Sequence, residues 1–198
     1  MPEQSDAALP WPPDTELPSI IVITGAMAAN KSTVAQLLAE RSPRTAHIRG
    51  DRFRRMIVSG RAPMTDPLSD EATDQLRLRH RLAAQVADGY AAAGFTAVVQ
   101  DIIVGADLPR FLGWLRCRPV AVVVLAPDAA TLARRDTERT KTGYVGWTPE
   151  AFDRDLWATT PPIGLWLDTS GHTPEQTVTT ILERLADARI ALPPDTSP

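Results

Sequence analysis

Strand-like and helix-like segments alternate along this chain, and the alternation predicts an α/β fold: a three-layer sandwich around a parallel sheet of five strands. Three observations carry that prediction. Residues 19–25 and 120–127 (VAVVVLAP) are near-continuous apolar runs, as expected of strands covered on both faces. Helix start signals stand between the strand-like runs, at Asp128, at Thr148-Pro149-Glu150 and at Thr173-Pro174-Glu175-Gln176. The first apolar run also turns through small residues into a helix that opens on Lys31-Ser32-Thr33. Parallel neighbours of this kind are joined by right-handed crossovers.

In chain order, the helix after the first strand places Val34, Leu37, Leu38 and Arg41 on one side, its apolar members toward the sheet. Residues 45–50 (TAHIRG) form a short second strand ending at Asp51, and RFRRMIV continues as a helical turn or two. Residues 60–70 read as loop. A long helix spans about residues 70–93, with Leu78, Leu82, Val86 and Tyr90 at helical spacing and Gly94 as its C-terminal cap. Residues 95–104 (FTAVVQDIIV) are the third strand, 108–116 a helix, and 120–127 the fourth strand. Asp128 caps the helix DAATLARRDTERT, and TGYVGW is loop. A helix opens at Thr148, IGLWLDTS is the fifth strand, and the capping box at Thr173 starts a final helix to about residue 190.

The turn between the first strand and its helix, Gly25-Ala26-Met27-Ala28-Ala29-Asn30-Lys31-Ser32-Thr33, has the layout of a phosphate-binding loop. In the pattern G-x-x-x-x-G-K-[ST], backbone N–H groups cradle phosphates, the Lys reaches the outer phosphates and the hydroxyl binds Mg²⁺. A helix N-terminus adds unpaired N–H groups and about half a positive charge. Gly25 opens the pattern and Lys31 with Ser32 closes it, but Asn30 stands where the pattern has Gly. Gly is favoured there because the backbone may turn to positive φ, and Asn is the side chain that tolerates positive φ best. The exchange weakens the pattern without abolishing it. The competing reading is an ordinary strand-loop-helix turn with Lys31 as a solvated charge.

A chain of 198 residues fits one α/β domain with a single core. Hydrophobic residues make up 43% and charged residues 23%, with no apolar run long enough to span a bilayer. The net charge of −3 gives no electrostatic reason to expect nucleic acid or an anionic membrane surface as partner. Cys117 is the single cysteine, which excludes an internal disulfide and a cysteine-rich metal centre. The first residues are acidic and proline-rich rather than basic and apolar, so a cytoplasmic protein is expected. The proline content also marks residues 1–18 and 193–198 as loose tails around a domain at 19–192.

The phosphate loop, IRGDRFRRMI around Asp51, VVQDIIV around Asp101 and VVVLAPDAATLARRDTERTKTGY together resemble the small-molecule kinases of the phosphate-loop class. The order and spacing resemble especially those of chloramphenicol phosphotransferase and related antibiotic or metabolite kinases. The resemblance covers nearly the whole core, but only the phosphate loop is a specific motif. It implies a kinase-type fold with a helical lid, ATP as donor with GTP left open, Mg²⁺, and a hydroxylated small molecule as acceptor. It also implies that Asp51 takes the acceptor's proton and that Arg135 and Arg139, in the lid region, contact the transferring phosphate. Asn30 departs from that family's loop as well.

Phosphoryl transfer needs positioning and charge neutralisation more than covalent help, so a Lys, a Mg²⁺ ligand, mobile arginines and an acid beside the acceptor are the residue types to seek. In parallel sheets ligands bind at the carboxyl ends of the strands, where Gly25, Asp51, Asp101 and Pro127 fall. Asp51 reads as base or substrate ligand, or as an N-cap. Asp101 reads as a water-mediated Mg²⁺ ligand or substrate contact, or as a loop cap, and Gln100 as substrate contact or structural. Arg135 and Arg139 share a helix face and suit bidentate phosphate contact, or form a solvated face with Asp136 and Glu138. Arg52, Arg54, Arg55, Arg77, Arg79, His80 and Arg81 form a basic neighbourhood that could hold an anionic acceptor, Arg54 foremost, or be solvated. Tyr144, Trp147 and Trp157 line an aromatic acceptor pocket or belong to the core. The rival functions are a nucleoside, nucleotide or activated-sugar kinase, the last resembling zeta toxins, and a nucleotide-binding protein without catalysis. Oligomeric state is left open.

Overall fold

A computed structural model describes residues 17–138 and 148–191. Its elements are β1 (Ile20–Gly25), α1 (Lys31–Glu40), β2 (Thr45–Arg49), α2 (Gly50–Arg55), α3 (Asp70–Ala92), β3 (Thr96–Gln100) and α4 (Asp107–Trp114). There follow β4 (Val120–Leu125), α5 (Ala129–Thr137), α6 (Pro149–Thr159), β5 (Leu165–Leu167), α7 (Pro174–Glu183), α8 (Leu185–Ala188) and β6 (Arg189–Ile190). The five parallel strands lie in the order β2-β3-β1-β4-β5 and helices flank the sheet, as the alternating pattern predicts. Every residue of β1 and β4 is buried, which is why both read as unbroken apolar runs. Residues 193–198 and most of 1–18, the expected tails, lie outside the described residues. No described helix is long and apolar enough to cross a membrane.

Local signals place the helix starts. Asp128 accepts a hydrogen bond from the Thr131 N–H at 2.6 Å and Thr148 from Ala151 at 3.1 Å, each opening its helix. Thr173 and Gln176 close a reciprocal capping box at the start of α7. Gly94, at φ 80°, follows the last turn of α3. Two expected ends differ most. The third strand stops at Gln100 rather than at 104, because the Thr24 hydroxyl takes over the ladder: it donates to the Ile103 carbonyl at 2.8 Å and accepts the Ile103 N–H at 2.9 Å. The final helix breaks at Arg184, and buried Leu185 and Ala188 turn the chain so that β6 pairs antiparallel with β4, adding a sixth strand.

The face α3 buries is not its large apolar stripe. Ala72, His80, Ala83, Ala84 and Ala87 point inward, while Leu78, Val86 and Tyr90 are exposed. Small residues let the helix approach the sheet closely, and His80 fits there with its Nε2–H donating to the Ile102 carbonyl at 3.2 Å and its ring edge-on to Phe111. Burial, with Arg79 alongside, pushes His80 down to about 4, and burial with Arg49 does the same to His47. Between pH 6.5 and 4 the unfolded chain therefore binds protons that the folded chain refuses, so stability is complete above this window and falls as pH drops through it. For His80 alone the loss is on the order of 3 kcal/mol. Urea unfolding between pH 7 and pH 4 should show this slope, and His80→Gln should reduce it, leaving the share due to His47.

Candidate functional site

The phosphate loop is shaped by its neighbours before any ligand is considered. Gly25 ends β1 at φ 133°, and a Cβ there would lie 2.1 Å from the Leu125 carbonyl oxygen of β4. Only Gly fits a backbone pressed this closely on the next strand. Ala26, Ala28 and Ala29 are buried in the turn and Met27 is half-buried. Asn30 occupies the left-handed region at φ 61° and ψ 19°, and Ala28 does so at φ 60°. Asn30 makes no side-chain capping bond. Its place is thus explained by backbone conformation, the property that led to Gly being expected there.

Lys31 begins α1 almost buried, 7% exposed, and its ammonium donates to the carbonyls of Gly25 at 3.0 Å and Ala26 at 2.5 Å. Ser32 donates to the Gln100 Oε1 at 3.0 Å, so the loop hydroxyl meets the last residue of β3. Thr33, beside them, is exposed. Among the described residues no group of three or more His, Cys, Asp or Glu could hold a metal by itself. The Ser32 and Gln100 oxygens still fit Mg²⁺, which takes one or two protein oxygens and completes its shell with water and substrate phosphates.

Asp101 follows β3, is 1% exposed, and has both oxygens engaged. Arg79 of α3 grips it in two places, with Nε donating to Oδ2 at 2.6 Å and Nη2 to Oδ1, and Oδ1 also accepts the Ile102 N–H at 2.7 Å. A Cβ at position 50 would lie 1.9 Å from Asp101 Oδ2, so only Gly50 lets α2 start against this carboxylate. That start carries Asp51 to the site, in the first turn of α2 behind an Arg49 N-cap rather than as a cap itself. Asp51 pairs with Arg55 at 2.9 Å and with Arg49 Nε at 3.5 Å, yet its Oδ1 is buried without a hydrogen bond.

These groups line one cavity of about 250 Å³ that runs from the phosphate loop to Asp51, Gln100 and Asp101. Four cations, Lys31, Arg49, Arg55 and Arg79, face two carboxylates there, a positive balance inside a chain of net charge −3. Burial holds Arg79 down to about 10, still protonated at neutral pH. A second cavity, about 290 Å³, shares Met27, Arg79 and Ile102 with the first and is otherwise walled mainly by apolar side chains from α3, α6 and the loop before α3.

Other expected residues lie elsewhere. Arg54 lines neither cavity; it donates to the Ala62 carbonyl at 2.8 Å, and with Gln75 it orders the loop at residues 60–62. Arg135 donates to the carbonyls of Thr169 at 2.8 Å and His172 at 3.3 Å, joining α5 to the loop after β5. Arg139, Tyr144 and Trp147 lie outside the described residues. Trp157 is exposed and stacks on Trp166 at 4.6 Å, away from both cavities. Sequence reading misses Arg49 and finds Arg79 only as one member of the basic neighbourhood around α2 and α3. Arg79 is one arginine in a run of three at alternate positions, and only the packing of α3 shows which one meets Asp101.

The fold is shared with a sugar kinase from Janibacter sp. HTCC2649 (TM-score 0.61, 21% identity, 85% of this chain and 95% of that one). It is shared with the tunicamycin resistance protein of Deinococcus radiodurans (TM-score 0.63, 16% identity, 87% and 98%). It is shared as well with shikimate kinase from Acinetobacter baumannii, solved with shikimate (TM-score 0.61, 22% identity, 86% and 93%). No curated protein sequence matches the chain significantly. A family profile described as AAA domain matches residues 20–158, from the first strand through α6 and across both cavities, and on that match the chain belongs to the AAA domain family.

Proposed function

We propose that this protein is an ATP-dependent phosphotransferase that phosphorylates a hydroxyl group of a small molecule, an antibiotic or a metabolite. The observation that carries the reading is the convergence on one cavity of a phosphate loop, a hydroxyl and amide oxygen pair at Ser32 and Gln100, and the Asp51 carboxylate with an oxygen left without a hydrogen bond. The domain is taken as residues 19–192, and the single cysteine agrees with a reducing cytoplasm.

The loop N–H groups and Lys31 bind the donor's phosphates. Ser32, with Gln100 and Asp101 beside it, would hold Mg²⁺, which would neutralise charge on the phosphates. Asp51 accepts the proton of the acceptor hydroxyl as the new oxygen–phosphorus bond forms and the bond to the departing ADP oxygen breaks. Arg79 neutralises the buried Asp101 carboxylate, which would otherwise oppose the charge spreading over the transferring group. Arg135 and Arg139 would act from the lid side, Arg135 first leaving the Thr169 and His172 carbonyls that it bonds in this structure.

Incubation of the purified protein with ATP, Mg²⁺ and a panel of hydroxylated metabolites and antibiotics should give a phosphorylated product. Measurable ATP binding without any product would favour a non-catalytic nucleotide-binding protein instead. Lys31→Ala should lower turnover by at least about a hundredfold, the scale of losing one preorganised transition-state donor. Asp51→Asn should cost about a hundredfold or more in kcat; full activity would remove the base assignment.

Mg²⁺ titration gives a separate reading. Ser32→Ala should raise the Mg²⁺ concentration for half-maximal turnover by roughly tenfold, the scale of removing a metal-site partner. An unchanged requirement would place the ion elsewhere.

Asn30 tests the loop itself. Asn30→Gly should tighten nucleotide binding, because Gly takes φ 61° at no steric cost. Asn30→Val should destabilise the fold by about 1–2 kcal/mol, the cost of a branched residue in the left-handed region. Calorimetric titration with a non-hydrolysable ATP analogue and urea unfolding read the two effects.

A further inference from the structure

The second cavity lies where an acceptor would have to sit if the first holds phosphates, because Arg79, Met27 and Ile102 belong to both. At about 290 Å³ it is near the lower end of the range for small-molecule sites, so it suits a compact ligand. Its walls are Met64 and Leu68 from the loop before α3, Leu76 from α3, and Phe152 from α6. Among the described residues its polar lining consists of Arg79, Asp107 and Asp155. Arg79 is committed to Asp101, and Asp107 pairs with Arg110. Asp155 is half-buried, and its carboxylate has no hydrogen bond or ion pair with any described residue. Among the described residues the cavity therefore offers apolar surface and, at Asp155, a carboxylate without a partner. A polyhydroxylated acceptor would leave hydroxyls unpaired against those walls, and an anionic one would face Asp155.

Resting on the phosphotransferase reading, we propose that this cavity is the acceptor site and that it takes a hydroxyl-bearing molecule with an aromatic or branched aliphatic body and a hydrogen-bond donor, ammonium or amide N–H, that meets Asp155. The hydroxyl lies toward Arg79 and Asp51. The body fills the space between Leu76 and Phe152. This separates the protein from kinases of anionic or sugar-like acceptors, whatever fold it shares with them.

The test is calorimetric binding to the full chain, with Mg²⁺ and a non-hydrolysable ATP analogue, of four probes: phenylalaninol, 3-phenyl-1-propanol, gluconate and shikimate. The expected order is phenylalaninol tightest, then 3-phenyl-1-propanol, with the two anions weakest. Asp155→Asn should weaken phenylalaninol by about tenfold, the scale of one charge-assisted hydrogen bond, and leave 3-phenyl-1-propanol unchanged. Leu76→Gln and, on the loop, Met64→Gln should weaken both, with melting temperature checking that each variant folds. Gluconate or shikimate binding as tightly as phenylalaninol, no response to any of the three substitutions, or no binding by the apolar alcohols would overturn the assignment. Phosphate transfer from ATP is measured in parallel: apolar alcohols that bind in the expected order but are never phosphorylated would remove the phosphotransferase reading and leave the cavity's ligand class standing.

Discussion

One buried carboxylate, Asp101, orders the centre of this molecule. A charge that is 1% exposed is tolerable only when fully paired, and Arg79 supplies the pairing from α3 across 22 positions of chain. Removing one partner of such a pair leaves an uncompensated buried charge, at about 3–5 kcal/mol. The same carboxylate leaves no room for a side chain at position 50, so α2 starts at a glycine and Asp51 follows immediately. The end of β3, the middle of α3 and the start of α2 are thus fixed relative to one another by one group. The site geometry follows from that junction and from the strand turn at Gly25.

The second constraint is backbone crowding at the loop. β1 lies between β3 and β4, and the Leu125 carbonyl sits where a side chain at position 25 would be. The chain must turn away sharply, and it does so with two non-glycine residues, Ala28 and Asn30, at positive φ. Such conformations carry strain of the order of 1 kcal/mol or more, less for Asn, and persist only where surrounding packing enforces them. Here the enforcement is visible: Ala26, Ala28 and Ala29 are buried, and Lys31 is tied to the carbonyls of Gly25 and Ala26.

Much of this was legible in the sequence, for reasons that differ by element. The helix starts at Asp128, Thr148 and Thr173 were readable because a cap is a local bond between a side chain and a backbone group three residues on. β1 and β4 were readable because full burial leaves an uninterrupted apolar run. The exposed stripe of α3 misleads for the opposite reason: close packing selects Ala83, Ala84 and Ala87, and small residues barely register in an apolar pattern. Long-range pairs escape altogether. Nothing near Arg79 distinguishes it from Arg77, which pairs locally with Asp74, or from Arg81. The break before β6 was hidden because a continuous helical pattern says nothing of the unpaired edge of β4 that Arg189 and Ile190 come to cover.

The two cavities divide the charge between them, and this division bears most directly on what the site can do. Lys31, Arg49 and Arg55 crowd the phosphate side, while Asp107 and Asp155 line the other, with Arg79 at the seam already neutralised by Asp101. The field across the seam thus runs from positive to negative over a short path. A phosphate is drawn to one end and repelled from the other, so the polyphosphate of a nucleotide has one favoured cavity. Lys31 is held by neutral carbonyls, weaker acceptors than a phosphate oxygen, so an arriving anion exchanges modest bonds for charge-assisted ones without having to gather the ammonium from solvent. The positive end is therefore preorganised for an anion, and the apolar, acidic end discriminates against a second one.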